Sequence, residues 1–166
     1  MIKKRVLKKG KYVVTREGSI VINLSKRLCK SLKPLSKKIE IAGSIRRKVK
    51  TPVDIDIVLI PKAKQKIMDH LKTKGTYMQG RGKRITFKIQ GVKVEIYYTD
   101  SKSWGAMLMT YTGPSGYNIG LRSLAKKRGL LLNQYGLFQN GKHIAGKTEK
   151  SIYTTLDKKY KSPELR

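Results

Sequence analysis

Acidic residues are scarce in this chain. Ten Asp and Glu stand against 39 Lys and Arg in 166 residues, a formal net charge of +29. A surface of balanced ion pairs is therefore excluded. Cysteine is nearly absent too: Cys29 alone cannot close an internal disulfide, which points to a reducing compartment. Cys29 reads as a core or helix-surface residue rather than a nucleophile. With one Cys and two His, no cluster has the ligand spacing of a zinc site. No apolar run approaches the roughly 20 residues of a membrane span. The basic N-terminus is not followed by the apolar core of a signal peptide, so the expectation is an intracellular protein without a membrane partner. The chain shows no internal repeat, no low-complexity tract and no long linker. Aromatics are sparse, and Trp104 and Phe138 read as core anchors.

What is present is a core and a great deal of positive charge. Apolar residues make up 39% of the chain, enough for one folded domain or two small lobes. A net charge of this size repels itself unless a polyanion shares the space. Nucleic acid suits that requirement, because phosphate neutralisation releases counterions and uses many lysines at once. An anionic membrane is the weaker alternative, since no segment reads as a strongly amphipathic interfacial helix. A solvated lysine surface is the plain reading. Charge alone does not separate an enzyme from a structural binder.

Elements alternate along the chain. The basic stretch Met1 to Lys11 reads as a short strand or arm, and "VLKKGKYVV" as a possible grip on nucleic acid. Near-helical spacing of Ile20, Ile22, Leu24, Leu28 and Leu32 predicts a helix begun near Ser19 or Asn23 and ended by Pro34. "IEIAG" and "VDIDIVLI" read as strands, and "KAKQKIMDHLKTKG" as a surface helix stopped by Gly75. "RITFKIQ" and "VKVEIYY" alternate around Gln90-Gly91, a hairpin signal. A helix is predicted over Ser115–Lys127 with Gly129 as its stop. A second hairpin is expected to turn at Asn140-Gly141, and a last helix to be capped by Thr148. The expected seam lies at 105/106, dividing a sheet-rich part from a helix-and-hairpin part.

The acids gather where the apolar strands are. In "VDIDIVLI", alternate residues share a face, so Asp54 and Asp56 point the same way, roughly 6–7 Å apart at the backbone. Ile55, Ile57 and Leu59 face the core. Two carboxylates so close repel, and a cation beside them relieves the cost. Mg²⁺, a hard ion that takes one or two carboxylates plus water and phosphate oxygens, fits. In "VKVEIYY", Lys93, Glu95 and Tyr97 share the polar face, making Glu95 a third ligand if the two strands are neighbours. Three carboxylates can hold two ions about 3.5–4 Å apart, the spacing that suits in-line phosphoryl displacement. D-x-D alone also fits two aspartates paired with surface lysines. The preceding "GSIRR" favours the metal reading: its amides and the Ser44 hydroxyl can cradle phosphate, with Arg46 or Arg47 as the neutralising charge.

Together these segments resemble the nucleotidyltransferase superfamily in the form of family X DNA polymerases. "GSIRR" and "VDIDIVLI" are similar to its G-S-x-R-R … D-x-D signature, and "VKVEIYY" to the strand carrying its third acid. "TYTGPSGYNIGLR", "KRGLLLNQYGLFQNG" and "TEKSIYTTLDKKYKSPELR" resemble its later motifs, in order, so the similarity runs from Ile39 to Arg166. The T-G-P step and "LNQYGLF" resemble the very short viral members. Some thirty-eight residues precede the match, and the expectation is that no lyase domain is present.

The resemblance implies an α+β fold: a polymerase beta-like palm with a mixed sheet, plus a small C-terminal helix-and-hairpin lobe. It implies that Asp54, Asp56 and Glu95 are catalytic and bind two Mg²⁺ ions, with Mn²⁺ as a substitute. Gly43, Ser44 and Arg47 would hold the triphosphate of a deoxynucleotide. Tyr111, Thr112 and Gly113 would lie against its sugar, Asn118 would reach the base, and Arg122 the template strand. The partners would be primer–template or gapped DNA, bound by a monomer. Three positions depart from the family pattern: Glu95 in place of Asp, Thr110 in place of an aromatic, and Val53 in place of Gly. The resemblance also implies a cis peptide after Gly113, which Pro114 makes accessible; a trans turn proline is the alternative. The rival readings are a nucleotidyltransferase that needs no template and a catalytically weak nucleic-acid binder.

Overall fold

The structure, a computed structural model, describes residues 3–8 and 10–166, with side chains at residues 10 and 16–166. Met1, Ile2 and Lys9 of the expected basic arm lie outside the described residues, as do the side chains of most of that arm. The chain forms two compact units, Met1–Tyr98 and Thr99–Arg166. The expected seam at 105/106 falls inside the first helix of the second unit.

In the first unit, β1 (Lys3–Lys8) pairs antiparallel with β2 (Lys11–Arg16). The helix α1 (Gly18–Leu32) follows, buried along Val21, Leu24, Leu28 and Leu32, a stripe with the 3.6-residue period. It starts at the Glu17 cap, slightly before either expected cap, and gives way to a short turn over Lys33–Leu35 centred on Pro34. Next come β3 (Ser36–Ile41), the single turn α2 (Gly43–Arg46), β4 (Asp54–Pro61), α3 (Lys64–Lys72), β5 (Thr76–Gln79), β6 (Arg84–Ile89) and β7 (Val92–Tyr98). The five strands form one sheet in the order β3-β4-β7-β6-β5. It is mixed: β4 and β7 run parallel, and the other neighbours are antiparallel.

One face of this sheet carries the core. Ile55, Ile57 and Leu59 of β4, Val94 and Ile96 of β7 and Phe87 of β6 pack with the apolar stripes of α1 and α3. Each such side chain contributes about 1.5–3 kcal/mol relative to exposure. Strand alternation then forces Asp54, Asp56, Lys93, Glu95 and Tyr97 onto the opposite face. The β6–β7 hairpin turns at Gln90-Gly91, whose φ values of 49° and 78° match the type I′ turn that suits strand twist.

In the second unit, α4 (Trp104–Thr112) is joined to α5 (Ser115–Lys127) through a cis Gly113-Pro114 bond, as the resemblance implies. The strands β8 (Leu131–Asn133), β9 (Gly136–Gln139) and β10 (Lys142–Ala145) form an antiparallel sheet of three, one more than the expected hairpin. The helix α6 (Glu149–Thr155) is capped by Thr148, whose Oγ1 accepts from the Ser151 N–H at 3.0 Å. Ala106, Met109, Leu121, Leu137, Ile152 and Leu156 meet in its core. Gly105 allows α4 to lie on the start of α6: a Cβ there would overlap the backbone of Thr148 and Glu149. The two units thus have the expected α+β architecture. Among the described residues no helix is long and apolar enough to cross a membrane.

Candidate active site

The parallel β4–β7 ladder decides the first unit's chemistry. It sets Asp54 beside Lys93 and Asp56 beside Glu95. Three acids thus occupy neighbouring positions on one sheet face, on two central strands whose other face is locked into the core. Both aspartates are half-buried, and Glu95 is buried.

The α2 turn closes over this face. The Ala42 N–H donates to the Asp56 backbone carbonyl at 2.8 Å, fixing the turn at the strand. Gly43 follows at φ 60°, where a side chain is strained. A Cβ at Gly43 would land on Asp56 Oδ2, so glycine is what permits backbone and carboxylate to meet. Gly43→Ala is expected to destabilise the first unit by about 1–2 kcal/mol from the backbone conformation and to push the Asp56 carboxylate aside. Thermal melting, together with Mn²⁺ titration read by calorimetry, checks this: an unchanged melting point and Mn²⁺ affinity would contradict the packing described.

Arg47 is a cation acting on the aspartate pair. Burial lowers its guanidinium below the ordinary value, and the charges of Asp56 and then Asp54 oppose that shift. Asp56 Oδ1 also accepts from the Tyr97 hydroxyl at 3.3 Å. Ser44 Oγ is buried and has no hydrogen-bond partner among the described residues. A buried hydroxyl left without a partner costs about 1–3 kcal/mol, which a ligand oxygen would recover.

Glu95 is held differently. Its Oε2 accepts from Lys93 Nζ at 2.8 Å, and its Oε1 lies 3.7 Å from Arg84 Nη1. Among the described residues no group of three or more Asp, Glu, His or Cys side chains is gathered closely enough to hold a metal ion. Asp54 and Asp56 fit a hard divalent ion by donor chemistry, since such an ion needs only one or two carboxylates when phosphate and water complete its shell. Glu95 occupies the fitting backbone position with its carboxylate committed to two cations.

In the second unit, Tyr111, Thr112 and Gly113 end α4, and Asn118 lies on the first turns of α5. Asn118 Nδ2 donates to the Thr110 carbonyl at 2.8 Å. Its Oδ1 is buried without a partner among the described residues, so the amide is anchored through Nδ2 alone. Arg122, one turn further along, is exposed.

Sequence reasoning missed Arg84 and the contact of Tyr97 with Asp56. Arg84 was within reach. Counting back across the Gln90-Gly91 turn sets Arg84 opposite Tyr97 and Thr86 opposite Glu95, the register observed.

Comparisons with known proteins bear on the family and the fold. A profile of the DNA polymerase beta thumb matches residues 107–166. The repair DNA polymerase X of a warthog isolate of African swine fever virus is 30% identical over 148 residues, covering 81% of this chain and 84% of that protein. DNA polymerase IV of Saccharomyces cerevisiae is 40% identical over 62 residues, 37% of this chain and 11% of that protein. The crystal structure of Leishmania infantum polymerase beta, a ternary P/T complex, shares the fold with a TM-score of 0.77. It covers 92% of this chain and 76% of that one at 19% identity. The chain belongs to the family X DNA polymerases.

Proposed function

We propose that this chain is a DNA-directed DNA polymerase that adds deoxynucleotides to a primer 3′-end and fills short gaps in repair. The observation that carries the reading is the β4–β7 register, which sets Asp56 beside Glu95 with Asp54 on the same face. The Gly43–Arg47 turn packed on that face supports it.

In the first unit, Asp54, Asp56 and Glu95 would hold two Mg²⁺ ions, or Mn²⁺ in their place. When bound, such ions lower the pKa of a primer hydroxyl and neutralise triphosphate charge. The residues of the chain do the positioning. Ser44 Oγ donates to a phosphate oxygen, the Gly43 backbone lets that phosphate approach Asp56, and Arg47 supplies positive charge against it. Glu95 exchanges its contact with Lys93 for its role in catalysis. In the second unit, Tyr111, Thr112 and Gly113 would face the sugar. Asn118 would reach the base, and Arg122 would contact the template strand. Primer–template or gapped DNA is the partner, in an intracellular setting, with a monomer acting and no membrane involved. The lysine-rich surface supplies most of the affinity, so binding weakens steeply with salt.

Primer extension with each of the four templating bases tests the reading. Incorporation of the complementary nucleotide opposite each base is expected. Addition that ignores the template would favour a template-independent nucleotidyltransferase, and no addition at all would leave a nucleic-acid binder.

A further inference from the structure

We infer that the second unit carries a seat for single-stranded nucleic acid on the side of α5 turned away from Asn118 and Arg122. At 3.6 residues per turn, positions two apart on a helix lie on opposite sides, so Gly116 and Gly120 face away from Asn118 and Arg122. On that side lies a cleft of about 650 Å³, floored by these glycines, Tyr117 and Leu124 and rimmed by Lys158, Lys159 and Lys161.

Several features favour a built surface over a chance row of lysines. A Cβ at Gly116 or Gly120 would meet nothing within 4 Å, so packing within the unit does not require glycine at either place. Their absence of side chains opens the cleft instead. The lysine-bearing segment is fixed at its root: the Lys158 N–H bonds the Tyr153 carbonyl at 2.9 Å, and Asp157 closes α6 at φ 43°. Tyr117 is braced by the Tyr153 hydroxyl at 2.9 Å, and Lys161 Nζ sits 5.9 Å from its ring centre. Asp157 is the one acid in the lining, against three lysines. An apolar, aromatic floor beneath a cationic rim is the chemistry that takes an unstacked base and its phosphates. Paired bases cannot reach the floor, so the seat selects single strands.

Two variants test the seat by fluorescence anisotropy on labelled oligodeoxythymidylate, without nucleotide or divalent ion, so the outcome does not depend on polymerase activity. The triple variant Lys158→Ala, Lys159→Ala, Lys161→Ala is expected to bind about tenfold more weakly. Its salt slope should fall by about two, as for three lost phosphate contacts on a single strand. Gly120→Leu keeps every charge, replaces glycine with a better helix former and fills the floor. It is expected to lose about fivefold or more in oligodeoxythymidylate affinity, with the salt slope and the affinity for blunt duplex unchanged. The inference is overturned if Gly120→Leu binds the single strand like the parent, which would leave only diffuse lysine charge. It is equally overturned if duplex binding falls in parallel, or if the lysine variant keeps its affinity.

Discussion

Asp56→Asn should abolish nucleotide incorporation while leaving the fold and DNA binding in place. The substitution is nearly isosteric. Asparagine can still accept from the Tyr97 hydroxyl, which bonds Asp56 Oδ1, and the side chain still fits against the Gly43 backbone. What is lost is one negative charge at the centre of the acidic face, beside Arg47 and in register with Glu95. Removing a charged group from a reacting centre costs about 10³-fold or more in kcat. Single-nucleotide incorporation should therefore drop by at least about 10³-fold. Affinity for primer–template should hold or rise, because a repulsive charge has gone. A variant that still incorporates within about tenfold of the parent would show that Asp56 is not part of the reacting centre.

Arg166→Ala should unfold the second unit at far lower temperature than the parent. The Arg166 side chain is fully buried, and its Nη1 lies 2.9 Å from Oε1 of Glu149, whose own side chain is 7% exposed. The contact lacks hydrogen-bond alignment, so its attraction is Coulombic. Nε and Nη2 donate to the Lys161 carbonyl at 3.1 and 3.0 Å. The guanidinium also lies 5.8 and 5.7 Å from the ring centres of Tyr153 and Tyr160. Truncation would remove the guanidinium from the buried Glu149 carboxylate, which also accepts from the Tyr160 hydroxyl at 3.3 Å, and breaking a buried pair this way costs about 3–5 kcal/mol. The double variant Arg166→Met, Glu149→Gln removes both charges and should recover much of the loss. Chemical denaturation of the parent, single and double variants gives the comparison. A single variant as stable as the parent would mean the pair contributes little.

The parts of the fold legible in the sequence were those with a local cause. Gln90-Gly91 and Asn140-Gly141 announce tight turns because both central residues must take positive φ, and both do. Ser115–Lys127 appears as a helix at the expected bounds. The shared face of Asp54 and Asp56 follows from strand alternation alone. α4 was not legible for a physical reason: Trp104, Gly105, Ala106, Met107, Leu108 and Met109 are all buried, so the helix has no polar side to give it a period. β5 failed in the opposite way, since all four of its residues are exposed and no alternation marks it. The contact of Tyr97 with Asp56 was hidden because β4 and β7 are far apart in sequence, and pairing across such strands depends on register rather than on spacing along the chain.

Anomalous diffraction from crystals soaked with Mn²⁺ and a non-hydrolysable deoxynucleotide tests the central claim most directly. The account predicts manganese within coordinating distance of Asp54 and Asp56, with the Glu95 carboxylate released from Lys93 and turned to the same metal cluster. Manganese elsewhere, or bound nucleotide with Glu95 still held by Lys93 and Arg84, would contradict it.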